Sequence, residues 1–346
     1  MRSTRRSDDS CQIGTEEMEL RNQIAVVVIG RNEGQRLLAC LASLNELRAS
    51  TIYVDSGSTD GSIAAAGELG VHVVKLELTE AFSPGRARNE GFNAARRLHP
   101  EARFVQFLDG DCILDCDWLK NALDFISDRQ EIAVVCGRRR EKAPNESVYN
   151  RICDIEWNTP VGETSACGGD SLMRISAFEQ VGGFSIGLIA GEEPELCGRL
   201  RQHGWTIWRL PYEMTRHDAA IHHFRQWWRR AVRSGYAEAE ISWRYKSARS
   251  EAVVEKKQVV RMLLWAVVLP AGAILGSLLS PLFLLGLLAY PIQIGRVALL
   301  GPTKSDRWAY ASLMMMAKFA GLRGMLRFIV ASATGSSKRL IEYKNT

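Results

Sequence analysis

The first half of the chain alternates between short apolar runs and longer segments with helical spacing. The runs are too short for helices and rich in aliphatic residues, which predicts buried strands. Between them, apolar residues recur every three or four positions, as on one face of a helix. The predicted strands cover 24–30, 51–55, 71–75, 103–108 and 132–137, and predicted helices begin near 36, 63, 86 and 118. This order predicts an α/β domain with a mostly parallel sheet flanked by helices.

The pattern is less regular between residues 138 and 245. The stretch 138–167 is polar and is predicted to be irregular. After it we expect a tight turn into a strand near 170, a short helix, and a helix that ends at His203. A last strand is predicted at 205–210, with His217 in a loop or short helix beyond it. Residues 224–244 follow as a helix rich in tryptophan and arginine.

The composition changes at Val259, because residues 262–294 carry no charge. A membrane span needs about 20 helical residues, so this stretch is too long for one span. Ser280 and Pro281 provide a turn near its middle, which predicts a helical hairpin that either spans the bilayer or re-enters it. Lysines and arginines flank both outer ends and are missing from the turn, which favours cytoplasmic ends. The alternative is a buried helix pair in a soluble core.

The two ends of the chain are predicted to differ from the rest. Residues 308–332 combine apolar positions with lysine and arginine, as in a basic amphipathic helix lying on a membrane. The N-terminal segment is polar and lacks the apolar core of a secretory signal, so we expect a disordered tail. The predicted organisation is therefore a tail at 1–22, the α/β domain at 23–245, a juxtamembrane helix and hairpin at 246–301, and an interfacial helix with a basic tail at 302–346.

Charge and cysteine content narrow the function classes. The net charge is only +5 for 346 residues, and no basic run interleaved with aromatics indicates nucleic-acid binding. Basic residues crowd the region after Arg216, which fits an anionic membrane surface better. The eight cysteines form no C-x-x-C pair, which disfavours a zinc site and suits a reducing cytoplasm.

Candidate chemistry lies at the ends of predicted strands. Asp109 and Asp111 follow the strand at 103–108, separated by one glycine, and Asp55 ends the strand at 51–55. Ligands bind at the carboxyl ends of strands in parallel sheets. Two neighbouring carboxylates repel each other unless a cation or a proton lies between them. A divalent cation held against a diphosphate would satisfy this pair, whereas the alternative is a solvated acidic turn.

These residues belong to a set of blocks that resembles the inverting family 2 glycosyltransferases of the GT-A fold, in their membrane-associated bacterial form. The resemblance covers about residues 24–243, and the blocks stand in the order that the family has. They are Val27-Val-Ile-Gly-Arg-Asn-Glu33, Val54-Asp-Ser-Gly-Ser-Thr-Asp-Gly61, Ala87-Arg-Asn-Glu-Gly91, Leu108-Asp-Gly-Asp111, Gly168-Gly-Asp170 with Val181-Gly-Gly-Phe184, and Gly191-Glu-Glu193.

The resemblance implies a nucleotide-sugar site. It implies that Asp55 contacts the nucleotide base, and that a basic residue, Arg86 or Arg88, lies near the nucleotide. The other residues that it implies around the donor are Arg31, Glu33 and Asp109 at the nucleotide and Gly169 and Asp170 at the sugar pocket.

The resemblance also implies a metal and a general base. Asp109 and Asp111 match the D-x-D pair that binds Mg²⁺ or Mn²⁺, and His217 would complete the contacts. Glu193 aligns with the acid that deprotonates the acceptor hydroxyl, with Glu192 beside it. The family usually carries Glu-Asp here, so the longer second side chain is a departure. The alternative is a pair of acids that stabilises a helix N-terminus.

Together these observations predict a glycosyltransferase with a nucleotide-diphosphate sugar donor and a hydroxyl acceptor that is lipid-linked or close to the membrane. We expect it at the cytoplasmic membrane, in contact with lipids, with the catalytic domain on the cytoplasmic side, in cell-envelope polysaccharide synthesis. One alternative is a sugar-phosphate nucleotidyltransferase, but that class carries a glycine-rich loop where this chain has Gly30-Arg-Asn-Glu33. The other is a non-catalytic membrane protein that binds sugar nucleotides.

Overall fold

The computed structural model describes residues 22–77, 82–245 and 255–334. The predictions for the basic C-terminal tail and for the N-terminal tail, 1–22, lie outside the described residues. Residue 22 alone of the N-terminal tail is described. Among the described residues the strands are β1 Ile24–Gly30, β2 Thr51–Asp55, β3 His72–Lys75, β4 Phe104–Asp109, β5 Cys112–Leu114, β6 Ile132–Glu141, β7 Gly162–Glu163, β8 Ser171–Arg174 and β9 Thr206–His217. The α-helices are α1 Gln35–Ser43, α2 Ser62–Glu68, α3 Pro84–Leu98, α4 Trp118–Ile126, α5 Val148–Glu156, α6 Ile175–Gln180, α7 Glu192–Gln202, α8 Phe224–Arg244, α9 Glu255–Leu263, α10 Leu269–Ser277, α11 Ala289–Leu300 and α12 Arg307–Thr334.

The described strands form one mixed sheet in the order β3-β2-β1-β4-β8-β6-β9-β5, with β7 paired to β9. The half from β3 to β4 is parallel, as the alternation of strands and helices predicts. In the other half, β8 pairs antiparallel with both β4 and β6, and β9 pairs antiparallel with β5. The α/β sheet with flanking helices is therefore confirmed, and its antiparallel half is an addition to the predicted arrangement.

Alternate residues of β1 show why the sheet is covered on both faces. Ile24 and Val28 belong to one buried apolar cluster, and Ala25 and Val27 belong to the cluster on the opposite face. Helix α3 lies close to the second face at Gly91, where a Cβ atom would collide with Val27 Cγ1. The glycine in the block 87–91 is therefore required by close helix–strand packing.

Several elements differ from the sequence prediction, and the short strands β5 and β7 have no counterpart in it. The region predicted to be irregular, 138–167, contains the end of β6 and the whole of α5. The last strand was predicted at 205–210. It continues to His217 because its second half pairs with β5, in the register Cys112↔His217. His217 is therefore the end of a strand, and the prediction of a loop or short helix is wrong.

The chain forms two compact units. Of the described residues, the first unit contains the sheet and consists of those up to 140, 159–186 and 192–218. The second consists of 141–158, 187–191 and the described residues from 219 onward. The sequence placed helix α8 in the catalytic domain, 23–245, whereas by contacts this helix lies in the second unit.

Within the second unit, α8 and α12 pack with their main chains almost in contact. A Cβ atom at Gly235 would collide with the main chain of Gly321, and one at Gly324 would collide with the carbonyl of Val232. Early residues of both helices share one apolar cluster, and late residues share another, in which Tyr236 stacks edge-on against Phe328 at 5.5 Å. The two helices therefore run in the same direction.

Two helices of the second unit are long and apolar enough to cross a membrane, Lys257–Ser277 and Pro281–Leu300. In the 18-residue apolar stretch of each helix, only 17% and 6% is buried. This low burial disfavours the alternative of a helix pair inside a soluble core. Helix α12 has a buried face, which includes Gly324 and Phe328, and these residues pack on α8. Other apolar residues of α12 remain exposed, among them Phe319, Leu326 and Ile329.

Candidate active site

The parallel half of the sheet brings two predicted site residues to one edge. Strand β1 lies between β2 and β4, and its last residues pair as Gly30↔Asp55 and Ile29↔Asp109. Neighbouring strands are about 4.8 Å apart, so Asp55 and Asp109 are separated by roughly 10 Å across the end of β1. Asp109, which is predicted to bind the metal, and Asp55, which is predicted to contact the nucleotide base, therefore lie on either side of the end of β1.

Arg88 joins the D-x-D segment to the acids at the start of α7. Its Nη2 donates to Asp109 Oδ1 at 2.8 Å and its Nη1 donates to Glu192 Oε1 at 2.9 Å. Nη1 also lies 3.3 Å from Glu193 Oε1. Burial alone would lower the pKa of the Arg88 guanidinium, but Asp109, Glu193 and Glu192 raise the pKa above its ordinary value. Arg88 thus stays positively charged and forms ion pairs with three carboxylates.

The two acids of α7 differ in how firmly they are held. Glu192 is buried and accepts the short hydrogen bond from Arg88, whereas the Glu193 side chain keeps 17% of its surface exposed. Burial, followed by repulsion from Glu192, raises the pKa of Glu193 to about 7, although Arg88 opposes the shift. Of the two, Glu193 therefore has the access and the pKa suited to accepting a proton near neutral pH.

Gly169 lies against all three of these groups. A Cβ atom on it would be 2.5 Å from Arg88 Nη2, 3.0 Å from Asp109 Oδ2 and 3.2 Å from Glu193 Oε1. No side chain fits there without moving a charged group. The structure thus places Gly169 at the centre of the site.

Asp170 lies beneath Asp109 and is completely buried. Its carboxylate accepts the main-chain N–H of Asp109 at 3.1 Å and the hydroxyl of Thr215 at 2.8 Å, and it forms an ion pair with Arg139 at 2.7 Å. Burial would raise the pKa of Asp170, but Arg139 above all, and then His217, hold it below the ordinary value. These bonds fix the main chain that carries the first acid of the D-x-D pair.

The group that could hold a metal consists of Asp109, Asp111, Cys112 and His217, whose ligand atoms all lie within 4.8 Å of one another. His217 Nε2 is 3.4 Å from Asp111 Oδ1. Burial, followed by Asp170 and Asp111, raises the pKa of the Cys112 thiol well above its ordinary value, so it stays protonated. Its Sγ donates to Asp170 Oδ2 at 3.3 Å. The remaining donors are two carboxylates and one imidazole, a set with mainly hard oxygen ligands that fits Mg²⁺ or Mn²⁺.

The charges of the site favour a cation as well. Five carboxylates face two guanidinium groups within this part of the first unit, an excess of three negative charges. Such an excess is stable only if protons or cations compensate for it. The carboxylates are Asp109, Asp111, Asp170, Glu192 and Glu193, and the guanidinium groups are those of Arg88 and Arg139.

The predicted nucleotide residues are more scattered. Asp55 accepts hydrogen bonds from the Tyr53 hydroxyl at 3.0 Å and from the main-chain N–H groups of Gly57 and Ser58 at 2.9 and 2.8 Å. It therefore holds the turn that follows β2. Arg86 lies on the first turn of α3 and donates to the carbonyl oxygen of Glu77 at 3.0 Å.

The loop after β1 is tied to that same turn by Asn32. Its Oδ1 accepts the main-chain N–H of Thr59 at 2.7 Å, and its own N–H donates to Ser58 at 2.9 Å. Arg31, which precedes it, is exposed. Glu33, which follows it, forms an ion pair with Arg36 at 2.8 Å.

Sequence reasoning missed four residues of this region. Arg139 forms an ion pair with Asp170, and Cys112 and Thr215 donate hydrogen bonds to Asp170. Asn32 ties the loop after β1 to the turn after β2. Cys112 directly follows the D-x-D pair and could have been weighed with it. Arg139 stands in a run of three arginines, 138–140, which has no apolar alternation to predict the end of a strand.

Residues 25–182 match the family model described as Glycosyl transferase family 2. This segment belongs to that family. The pre-mycofactocin glycosyltransferase of Mycobacterium tuberculosis (strain H37Rv) is 26% identical over 270 residues, which is 74% of this chain and 54% of that protein. The O-antigen chain rhamnosyltransferase RfbN of Salmonella typhimurium is 26% identical over 197 residues, 51% of this chain and 60% of that protein. This chain thus spans little more than half the length of these relatives.

Two solved structures are similar to this chain in fold. The mannosyltransferase PcManGT from Pyrobaculum calidifontis, solved with GDP-Man and Mn²⁺, superposes with a TM-score of 0.60 at 18% identity, covering 88% of this chain and 87% of that one. Mannosyl-3-phosphoglycerate synthase from Rubrobacter xylanophilus gives a TM-score of 0.50 at 14% identity, covering 69% and 80%. The GT-A fold that the sequence predicts is confirmed.

Proposed function

We propose that this family 2 chain is an inverting, metal-dependent glycosyltransferase that moves a sugar from a nucleotide-diphosphate sugar to an acceptor hydroxyl. The observation that carries the proposal is that Arg88 contacts both a candidate metal ligand and a candidate proton acceptor. On one side is Asp109, which belongs to the candidate metal group, and on the other is Glu193, an acid with partial exposure and a pKa raised to about 7. A cation site and a proton acceptor beside each other are what inverting sugar transfer requires.

Glu193 would act as the general base. Its carboxylate takes the proton of the acceptor hydroxyl while that oxygen attacks the anomeric carbon from the side opposite the leaving group. A new C–O bond forms, the bond from the anomeric carbon to the diphosphate oxygen breaks, and the nucleoside diphosphate leaves. Arg88 keeps Glu192 and Asp109 in place, and it limits how far the pKa of Glu193 rises.

Asp109, Asp111 and His217 would hold Mg²⁺ or Mn²⁺, and the bound ion would offset the negative charge of the departing diphosphate. The donor set fits this role because it offers two carboxylates and one imidazole, while the nearby thiol stays protonated. The similar mannosyltransferase that was solved with GDP-Man and Mn²⁺ supports the proposal for this class of donor and ion.

The remaining predicted residues are proposed to surround the donor. Asp55, Arg31, Glu33 and Arg86 would line the nucleotide, and this role is consistent with the ties that Asn32 forms between the two loops. For Asp55, a contact to the base would add to its function in the turn. Gly169 would leave room for the sugar, and Asp170 would fix the main chain below it.

We also propose attachment to the cytoplasmic membrane, with catalysis on the cytoplasmic side and a lipid-linked acceptor in cell-envelope glycoconjugate synthesis. The two exposed apolar helices support the attachment. The relatives that are named for O-antigen chain synthesis support the pathway class. Residues 23–245 are proposed as the catalytic domain, 246–301 as the juxtamembrane helix and hairpin, and 302–346 as the interfacial segment.

The test is a donor panel. Detergent-solubilised full-length protein is incubated with Mn²⁺ and a series of nucleotide sugars, and the released products are separated. Release of a nucleoside diphosphate with an inverted sugar product supports the proposal. Release of pyrophosphate would instead favour a nucleotidyltransferase, and binding without turnover would favour a non-catalytic sugar-nucleotide-binding protein.

The base assignment has its own variant and control. Glu193→Gln should lose transfer by about 100-fold or more while it still binds the donor, because the amide cannot accept the proton. Glu90→Gln is the matched control, since Glu90 is an exposed acid on α3, the helix that carries Arg88. Full transfer by the Glu193 variant would remove this residue as the base.

A further inference from the structure

A groove in the second unit collects three cations from three helices. Its volume is about 650 Å³, which is within the range of small-molecule sites. Arg261 comes from α9, Arg296 from α11 and Lys318 from α12. The rest of the lining is mostly apolar and includes Leu264 and Val297. Three cations in an apolar groove repel one another, so the groove favours an anionic occupant.

The groove has no acidic lining that could balance this charge. Its described lining residues include no aspartate or glutamate. Lys318 also faces a neighbouring cavity that contains Glu156 and Glu238, but Glu156 is engaged by Arg230 at 2.9 Å. Within 22–77, 82–245 and 255–334, no ion pair is formed by Arg261, Arg296 or Lys318. The missing counter-charge must therefore come from solvent or from a ligand.

An aromatic pair lies beside the groove, and one of its two residues, Trp265, lines the groove. The rings of Trp265 and Tyr290 lie 5.7 Å apart, and the Tyr290 hydroxyl donates to the carbonyl oxygen of Trp265 at 2.5 Å. Trp265 is one helical turn further into the apolar segment than Arg261, and Tyr290 is more than one turn further in than Arg296. Cations one turn outside an aromatic pair are the arrangement found at the headgroup level of a membrane-facing helix.

We propose that this groove binds the phosphate headgroup of an anionic phospholipid, with Arg261, Arg296 and Lys318 around the phosphate and the acyl chains along the exposed apolar helices. Basic pockets between membrane helices bind anionic headgroups in this way. The proposal rests on the membrane attachment proposed above and is independent of the transfer reaction. It goes beyond a general attraction to the bilayer because it assigns one lipid to one groove.

The experiment measures lipid retained by purified full-length protein in a neutral detergent, with native mass spectrometry and phosphatidylglycerol as the probe. Wild-type protein should retain one phosphatidylglycerol and no tightly bound phosphatidylcholine. The triple variant Arg261→Gln, Arg296→Gln and Lys318→Gln should weaken phosphatidylglycerol binding by about 100-fold, since each cation near an anionic headgroup contributes roughly fivefold.

A second triple variant has the same change in charge away from the groove. It carries Lys257→Gln, Arg323→Gln and Arg327→Gln, which replace exposed cations on two of the same helices. This control should retain phosphatidylglycerol like the wild type. Equal losses in both triple variants would mean that only net charge matters, and would overturn the proposal.

Two further arms identify the occupant. If inorganic phosphate alone displaces the lipid at millimolar concentration, the groove is a free-phosphate site and the proposal is wrong. If a polyprenyl phosphate is retained in preference to phosphatidylglycerol, the groove holds a lipid-linked substrate and the proposal is also wrong.

Folding and chemistry are followed separately from lipid binding. The single variant Arg296→Gln, checked by circular dichroism, should bind several-fold more weakly, and Arg296→Lys should restore most of the affinity. Donor turnover measured on the same samples shows whether the transfer proposal fails independently of the groove.

Discussion

Replacing Gly169 by alanine adds only one methyl group, but it should strongly lower the activity. The new Cβ atom would lie 2.5 Å from Arg88 Nη2, whereas ordinary contacts begin at 3.4 Å. Arg88 must therefore retreat by about 1 Å, and the same Nη2 atom forms the 2.8 Å bond to Asp109 Oδ1. A retreat of that size would lengthen this bond beyond hydrogen-bond distance.

The expected effect has two parts. Misplacement of catalytic groups by about 1 Å lowers the rate about 100-fold, so kcat should fall by that order. Overpacking together with the weakened charged hydrogen bond should lower the free energy of unfolding by about 2 kcal/mol. The rate is measured as release of nucleoside diphosphate, and the stability is measured by thermal unfolding.

The neighbouring glycine offers a matched control. A Cβ atom at Gly168 would meet its nearest neighbour, Arg139 Nη2, at 3.6 Å, which is an ordinary contact. Gly168→Ala should therefore keep most of the activity and stability. If Gly169→Ala and Gly168→Ala behaved alike, the close packing of Arg88 against Gly169 would not control the site, and this reasoning would be refuted.

Other predictions follow from the same contacts. Arg88→Gln should lower the free energy of unfolding by about 3–5 kcal/mol, because three carboxylates lose their buried cation. The control Arg86→Gln should change the free energy of unfolding by less than about 0.5 kcal/mol, and chemical denaturation measures both variants. Because Glu193 is protonated below a pKa of about 7, kcat/KM should fall about tenfold per pH unit below that value and level off above it. A chelator should abolish turnover, and Asp111→Asn should need roughly tenfold more Mn²⁺ for recovery in a metal titration. Gly321→Leu should lower the melting temperature of the second unit, since its Cβ atom would lie 2.7 Å from Met262 Sδ and the larger side chain would overpack the contact with α8.

The sequence was most informative where a local pattern was enough. Strand β1 was predicted at its observed bounds because it is a short, continuous aliphatic run. The positions of Asp55 and Asp109 at strand ends followed from the same alternation of strands and helices. These features depend on neighbours in the chain, and periodicity reports on such neighbours.

The contacts within the site depend on distant residues. Arg88 and Glu192 are 104 positions apart, and the sequence offered no pattern that would pair them or choose between Arg86 and Arg88. The link from Arg139 to Asp170 required knowing that β6 runs on to Glu141. The bond from Thr215 to Asp170 likewise required that β9 continue past Pro211.

The shared direction of α8 and α12 constrains any attempt to trim this protein. Because the helices run side by side, the chain that leaves α8 at Arg244 must travel back along that helix before α12 can begin at Arg307. The return path is roughly 30 Å for a helix of this length. An extended chain covers about 3.4 Å per residue, so a soluble version without the hairpin needs a replacement tether of about ten residues. A shorter splice would pull the glycine contacts apart, and the excised segment is thus a crossover connection in addition to its proposed role as a membrane anchor.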